Sequence, residues 1–193
     1  MAKAQFDRNE VIENAIRLFW QHGYSASSMQ QVVKTTGLQP GSIYLAFKNK
    51  EGLYREALDT YAANSKKRIR TALEGPDGML KGICTVLESM IEQSTQEDYN
   101  SCFLIKTQLE LAAEGNSLHE LASEKLDEIE ALFRSYLEQE FDTETARKRA
   151  ASIMVHIFGL RVYGYKAEAA ERMRESLRQG LPWLPWNHTS RQA

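Results

Sequence analysis

Residues 28–50 read SMQQVVKTTGLQPGSIYLAFKNK, and this stretch decides how the first part of the chain folds. Ser28 followed by Gln31 predicts a capping box at the start of a helix. Gly37 stands where that helix must end, because glycine adopts positive φ at little cost. Pro40 suits the first turn of a second helix, where its missing N–H is not needed. The stretch therefore predicts two short helices joined by a tight turn.

The second of these helices is predicted to be about two turns long. Ile43 and Phe47 are four residues apart, so both point to the same inner side. The outer side is left with residues of mostly small or amide character, namely Gln39, Ser42, Tyr44, Leu45 and Ala46. The basic residues Lys48 and Lys50 follow. This arrangement is typical of the recognition element of a helix-turn-helix.

A longer spaced pattern around this stretch resembles the DNA-binding domain of TetR-family transcriptional repressors. It comprises Gly23, Tyr24, Ser28, Met29, Val32, Val33, Gly37, Leu38, Gly41, Ser42, Ile43, Tyr44, Phe47, Lys50, Glu51 and Leu53. The preceding Ile12, Ala15, Leu18 and Phe19 resemble that family's first helix. The resemblance covers about the first third of the chain. It implies an all-helical homodimer with an N-terminal DNA-binding domain and a C-terminal domain for ligand binding and dimerisation.

The expected fold class is therefore all-α. A three-helix helix-turn-helix domain is predicted over residues 1–50, a linking fourth helix over about 50–70, and the ligand-binding and dimerisation domain over 76–193. The run Gly75-Pro76-Asp77-Gly78 marks the seam. Five further helices are predicted, the first with Met79, Ile83, Leu87 and Met90 on its apolar face. The others are placed near 102–113, 117–140, from 142 or 143 onward, and 166–179. The last two would form a four-helix dimer seam with a second subunit.

Charge and cysteine content restrict the class of protein. Residues 1–70 hold 11 Lys and Arg against 6 Asp and Glu, whereas residues 71–193 hold 13 against 20. A basic first part is typical of a module for a polyanion, although chance segregation of solvated charges gives the same split. Two cysteines are too few for a disulfide framework. The sequence has no signal peptide and no apolar run of membrane length, so we expect a cytoplasmic protein without membrane contact.

The resemblance implies how double-stranded DNA, as a palindromic operator, would be held. The phosphate contacts would come from Ser28, Tyr44 and Lys50, with Lys34 and Lys48 as weaker candidates. The base contacts would come from Gln39 and Ser42 by hydrogen bonds and from Leu45 and Ala46 on thymine methyl groups. Gly41 would let the recognition helix approach the duplex closely. Tyr44 could instead be a packed aromatic residue, and residues 1–8, with Lys3 and Arg8, either a tail or an arm reaching DNA.

The C-terminal part shows no metal-ligand spacing and no catalytic constellation, so we expect neither an enzyme nor a cofactor. A small apolar effector could be lined by its aromatic and methionine residues, which are Met90, Phe103, Phe133, Tyr136, Met154 and Phe158. The same residues could equally be ordinary core. The indole-rich segment around Trp183 and Trp186 could pack or protrude.

Cys102 suggests a second kind of effector. It opens a predicted helix, where free N–H groups and the helix dipole stabilise a thiolate. The segment, with Lys106 one turn on, resembles the cysteine segment of NemR-type repressors, which respond to electrophiles. A packed thiol is the alternative. The leading hypothesis is thus a repressor released by a small apolar ligand; the others are a thiol-based sensor and a helical interaction module without specific DNA binding.

Overall fold

In a computed structural model that describes residues 6–186, the chain folds into nine α-helices with no strand among these residues. The helices are α1 (Arg8–His22), α2 (Met29–Thr36), α3 (Pro40–Phe47), α4 (Lys50–Leu73), α5 (Met79–Ser94), α6 (Phe103–Leu111), α7 (Ser117–Leu137), α8 (Thr143–Tyr163) and α9 (Ala170–Gly180). The predicted all-α class is confirmed. The N-terminal residues 1–5, which include Lys3, lie outside the described residues.

The helix ends lie where the local sequence predicts them in the first part of the chain. The Asp7 carboxylate accepts the Asn9 N–H at 2.8 Å and so caps α1. Ser28 and Gln31 form the predicted capping box of α2, with bonds of 3.2 and 2.7 Å. Gly37 ends α2 with φ of 72°. The helix-turn-helix is therefore encoded by its own capping residues.

Three later boundaries differ from the predicted ones. Helix α9 begins at Ala170 rather than near Lys166, because residues 164–169 form a turn in which Glu168 has a φ of 55°. Helix α7 ends at Leu137 rather than near Glu140, since the N–H groups of Gln139 and Glu140 bond three residues back and tighten the chain. Helix α6 ends at Leu111, and a short 3-10 turn, Ala112–Glu114, follows it.

The chain divides into two compact units that do not follow chain order. The first unit contains residues 6–64 and 102–126, and the second contains 65–101 and 127–186. Helix α6 therefore belongs with α1, α2 and α3. The division into functional domains over 1–50 and 76–193 remains a prediction.

The first unit is built around aromatic rings contributed by α1, α4 and α6. The ring of Tyr54 lies 4.7 Å from that of Phe19 and 5.2 Å from that of Phe103, measured between centroids. All three side chains are almost fully buried. The Tyr54 hydroxyl donates to Thr107 Oγ1 at 2.7 Å, and Thr107 in turn donates to the Phe103 carbonyl. Burial raises the pKa of Tyr54, so it stays neutral and can donate this bond.

The second unit contains α5, α8, α9 and the C-terminal segment. Ile83, Leu87, Ile153 and Leu177 are buried in it. The segment after α9 packs onto these helices, which settles the open question about the two tryptophans. The Trp186 indole donates to the Leu181 carbonyl at 2.8 Å.

Trp183 reaches α8 instead. The guanidinium of Arg149 lies between the rings of Phe141 and Trp183, at 3.9 and 4.3 Å from their centroids. Cation–π contacts of this kind stabilise the packed position of the segment. Among residues 6–186, no helix has the length and apolar character needed to cross a membrane.

Candidate DNA-binding surface

Helices α2 and α3 present the two faces that the sequence predicts. On the inner side, Ile43 and Phe47 are 0% and 2% exposed. On the outer side, Tyr44 is 56% exposed and Leu45 is 91% exposed. The interpretation of Tyr44 as a packed aromatic residue is therefore wrong. A leucine this open on a two-turn helix has no role in the packing of its own subunit.

Gly41 in the first turn of α3 is the second unusual feature of this face. Glycine destabilises a helix relative to alanine by about 1 kcal/mol or less, so a helical glycine needs a reason. Its φ is not positive, and a Cβ placed on it meets no atom within 4 Å. The subunit's own fold therefore does not require glycine here, and the open space lies on the outer side of α3.

The remaining predicted contacts lie on the surface of the first unit in two groups. Gln39, Lys34 and Lys48 are exposed, whereas Ser42 and Ala46 are half-buried on α3. Gln39 is the N-cap of α3 but makes no capping bond with its side chain. Lys48 ends α3 with φ of 70°.

Lys50 is held differently from the other basic residues. Its ammonium donates to the carbonyls of Tyr24 and Ser27, both at 2.9 Å, and lies 4.1 Å from the centre of the Tyr24 ring. Partial burial lowers the pKa of Lys50. Lys50 therefore fixes the turn that presents Ser28, and two of its three ammonium donors are already used. Its phosphate contact remains a prediction.

Glu110 of α6 is a residue of this surface that sequence reasoning missed. Its carboxylate accepts the backbone N–H groups of Tyr24 at 3.1 Å and Ser25 at 2.8 Å. Gly23, with φ of 81°, makes room for it, since a Cβ there would lie 2.4 Å from Glu110 Oε2. No local signal could indicate a contact between residues 86 apart in sequence.

Lys106, one turn earlier on α6, contacts the last turn of α1. Its ammonium donates to the Trp20 carbonyl at 2.6 Å. Burial lowers the pKa of Lys106, while Glu110 acts in the opposite direction. Helix α6 thus bonds to the last turn of α1 through an ammonium and to the turn after α1 through a carboxylate.

The predicted effector residues are divided between the two units. Phe103, Phe133 and Met154 are at most 5% exposed, whereas Met90, Tyr136, Phe158 and Cys102 are half-buried. Cys102 and Lys106 lie in the first unit with Phe103, and the others lie in the second. The Tyr136 hydroxyl donates to the Glu74 carboxylate, which raises the pKa of Tyr136.

Two cavities of the second unit are lined by residues other than the predicted effector residues. One of about 560 Å³ lies between α5 and α9, against Cys84, Glu88, Arg174 and Trp186. Another of about 400 Å³ lies between α8 and α9. Within residues 6–186, no group of three or more His, Cys, Asp or Glu side chains is arranged to hold a metal ion.

Comparison with known proteins identifies relatives of the DNA-binding surface. A sequence model of the family described as "Bacterial regulatory proteins, tetR family" matches residues 11–57, which span most of α1 to the first turns of α4. The HTH-type transcriptional repressor ComR of Escherichia coli (strain K12) is 48% identical over 56 residues. That match covers 29% of this chain and 27% of ComR.

The similarity extends beyond this surface in two other proteins. The HTH-type transcriptional regulator AcrR of Shigella flexneri is 25% identical over 163 residues, which cover 79% of this chain and 74% of AcrR. Among solved structures, a cysteine mutant of the TetR family regulator CifR, in complex with 26-bp operator DNA, superposes with a TM-score of 0.78. It is 24% identical and covers 96% of this chain and 100% of its own, so this likeness concerns the fold.

Proposed function

We propose that this chain, which belongs to the TetR family of bacterial regulatory proteins, is a repressor that binds operator DNA as a homodimer and leaves it when an effector acts. Membership of the family makes it a DNA-binding transcriptional regulator and not an enzyme. The palindromic operator, the second subunit and the effector are the proposed parts.

The outer face of α3 is the observation that carries the proposal. Gly41 lowers the stability of α3, and neither the backbone nor the packing of the subunit requires a glycine there. Leu45, one turn further along α3, is 91% exposed. Both are explained if α3 enters the major groove, because Gly41 then allows close approach and Leu45 meets thymine methyl groups. CifR, which has the same fold, has been solved on double-strand operator DNA.

A second exposed stripe supports the homodimer. Val155, Gly159, Val162 and Tyr163 lie at helical spacing along α8, and the three larger ones are 70%, 54% and 41% exposed. Gly159 is another helical glycine whose added Cβ would meet nothing within 4 Å. A second copy of the same stripe, packed across a two-fold axis, would bury these side chains and use the space at Gly159.

The primary experiment is fluorescence anisotropy of the purified protein on the duplex upstream of its own gene, against a scrambled duplex. We expect tight binding to the first duplex only, weakening steeply between about 50 and 200 mM salt. Tyr44→Ala should abolish the difference. Equal and weak binding to both duplexes would favour the helical interaction module.

For the effector, two candidates remain. The first is a small apolar ligand that separates the packed aromatic residues predicted to line its site. The second acts through Cys102, whose half-buried thiol lies at the start of α6 and makes no capping bond. Covalent modification there would disturb the helix whose Lys106 and Glu110 bond to the end of α1 and to the turn after it.

The two candidates differ in their dependence on Cys102. Operator release by N-ethylmaleimide should disappear in Cys102→Ser and persist in Cys84→Ser if the thiol is the sensor. Cys84 is a matched control, because burial raises the pKa of its thiol to about 11. Release in both variants, or in neither, would leave the apolar ligand as the effector to screen for.

A further inference from the structure

Arg8, the first residue of α1, lies against the C-terminal end of α3. Its guanidinium donates to the Ala46 carbonyl at 3.2 Å. It also donates to both carboxylate oxygens of Glu56 on α4, at 3.1 and 2.5 Å. One side chain therefore connects three helices of the first unit.

The same guanidinium stacks on Phe47, the last residue of α3, with its Cζ 4.4 Å from the ring centre. The ring of Phe6 lies 6.5 Å from that of Phe47. The Ala46 carbonyl is one of the last four of α3, which have no partner within the helix. Arg8 thus satisfies a carbonyl at the end of α3 and covers its anchoring aromatic residue.

This contact matters because α3 is too short to hold its own position. A helix of eight residues is marginal in isolation, so its order comes from tertiary contacts. Base contacts require positions held within about 0.5 Å. Ile43 anchors the middle of α3 to the core, whereas its C-terminal end depends on Phe47 and on the group that covers it.

We propose that Arg8 and Glu56 form a clamp that positions the recognition helix for operator binding. This inference rests on the proposed function, in which α3 reads DNA. Arg8 is then a positioning residue and not an arm that reaches the duplex. Glu56 contributes to DNA affinity although it carries the charge that DNA repels.

The sign of one substitution separates the clamp from plain electrostatics. Glu56→Gln removes a negative charge, which by itself should raise the affinity for a polyanion. The clamp predicts a loss of operator affinity instead, about two- to fivefold for each protomer, in keeping with the strength of exposed ion pairs. Glu10→Gln, an exposed carboxylate of the first turn of α1, is the matched control and should raise affinity slightly or leave it unchanged.

Arg8 variants complete the test. Arg8→Lys keeps the charge but not the forked, stacking guanidinium, so it should lose affinity like Arg8→Gln. The double variant Arg8→Gln/Glu56→Gln should lose no more operator affinity than the single variant with the larger loss. Both single substitutions break the same ion pair, so their effects should not add. In the Arg8 variants, the slope of operator affinity against salt concentration should equal that of the unsubstituted protein. A slope reduced by about one would show a direct phosphate contact of Arg8 and overturn the proposal.

A measurement without DNA keeps this inference separate from the proposed function. Amide hydrogen exchange over residues 40–49 reports the end of α3, including the Lys48 N–H that bonds to the Tyr44 carbonyl at 3.0 Å. Faster exchange there in Glu56→Gln, with an unchanged melting temperature, would support the clamp even if the duplex tested is not the operator. Unchanged exchange, or a gain in operator affinity for Glu56→Gln, would contradict it.

Discussion

The fold of the first unit requires glycine at position 23 but not at position 41. Gly23 is required by the fold, because its φ is 81° and a Cβ would collide with the Glu110 carboxylate. Gly41 is required by neither backbone nor packing. Gly23→Ala should therefore lower the free energy of unfolding by about 1–3 kcal/mol. Gly41→Ala should keep or raise it by up to about 1 kcal/mol, yet weaken operator binding.

Chemical denaturation and anisotropy on the same two variants check this prediction. A destabilised Gly41→Ala would mean that the glycine serves the subunit, and undiminished operator binding would remove the close approach proposed for α3.

Cys84 makes a prediction about alkaline conditions. Burial raises its pKa from 9.0 to about 11, so between these pH values the unfolded chain releases a proton that the folded chain retains. Stability is then complete below about pH 9 and falls as the pH rises towards 11, by roughly 2–3 kcal/mol for this group. Urea unfolding at pH 8 and 10.5 measures the loss, which should shrink in Cys84→Ala. An equal loss in both proteins would assign it to other groups, such as Tyr54.

At the scale of the elements, α6 is the helix that holds the turn after α1. Glu110→Gln keeps one carbonyl oxygen for the N–H groups of Tyr24 and Ser25, whereas Glu110→Ala keeps none. We expect Ala to loosen the turn more than Gln, with a loss of stability near 1 kcal/mol and faster amide exchange at Tyr24 and Ser25. Exchange unchanged in the alanine variant would show that Lys50 alone fixes the turn.

The same scale shows what the sequence could predict. Asp7, Ser28, Gly37 and Pro40 act on neighbours within four residues, so the bounds of α1 to α3 and the two faces of α3 were predictable. The start of α9 was not, because the helical spacing continues through residues that the turn at Glu168 removes from the helix.

The contacts of Arg8 and Glu110 were equally beyond sequence reasoning, for a different reason. Their partners are 38 to 86 residues away, and the charge of each side chain is compatible with plain solvation. The sequence could predict that apolar residues such as Phe103 and Phe133 are buried. It could not predict whether they line a pocket.

At the scale of the molecule, the exposed stripe of α8 should decide the oligomeric state. Val155→Arg places a charge at its most exposed large residue, and the charge would meet its own copy across a two-fold axis. We expect a shift from dimer to monomer in sedimentation analysis, together with loss of operator affinity. Leu109→Arg, at a residue 64% exposed on α6, is the control that should remain dimeric. A dimeric Val155→Arg would place the interface elsewhere.

The discontinuous composition of the first unit has a consequence for synthesis on the ribosome. Residues 102–126 must be translated before that unit is complete, although 65–101 emerge earlier and belong to the second unit. Until then the nascent chain lacks the α6 partners of Tyr54, and the helix-turn-helix lacks the carboxylate that holds its first turn. Contacts this distant along the chain slow folding through the entropy of closing the intervening loop. We therefore expect competence to bind DNA to arise only after residues 102–126 have been translated.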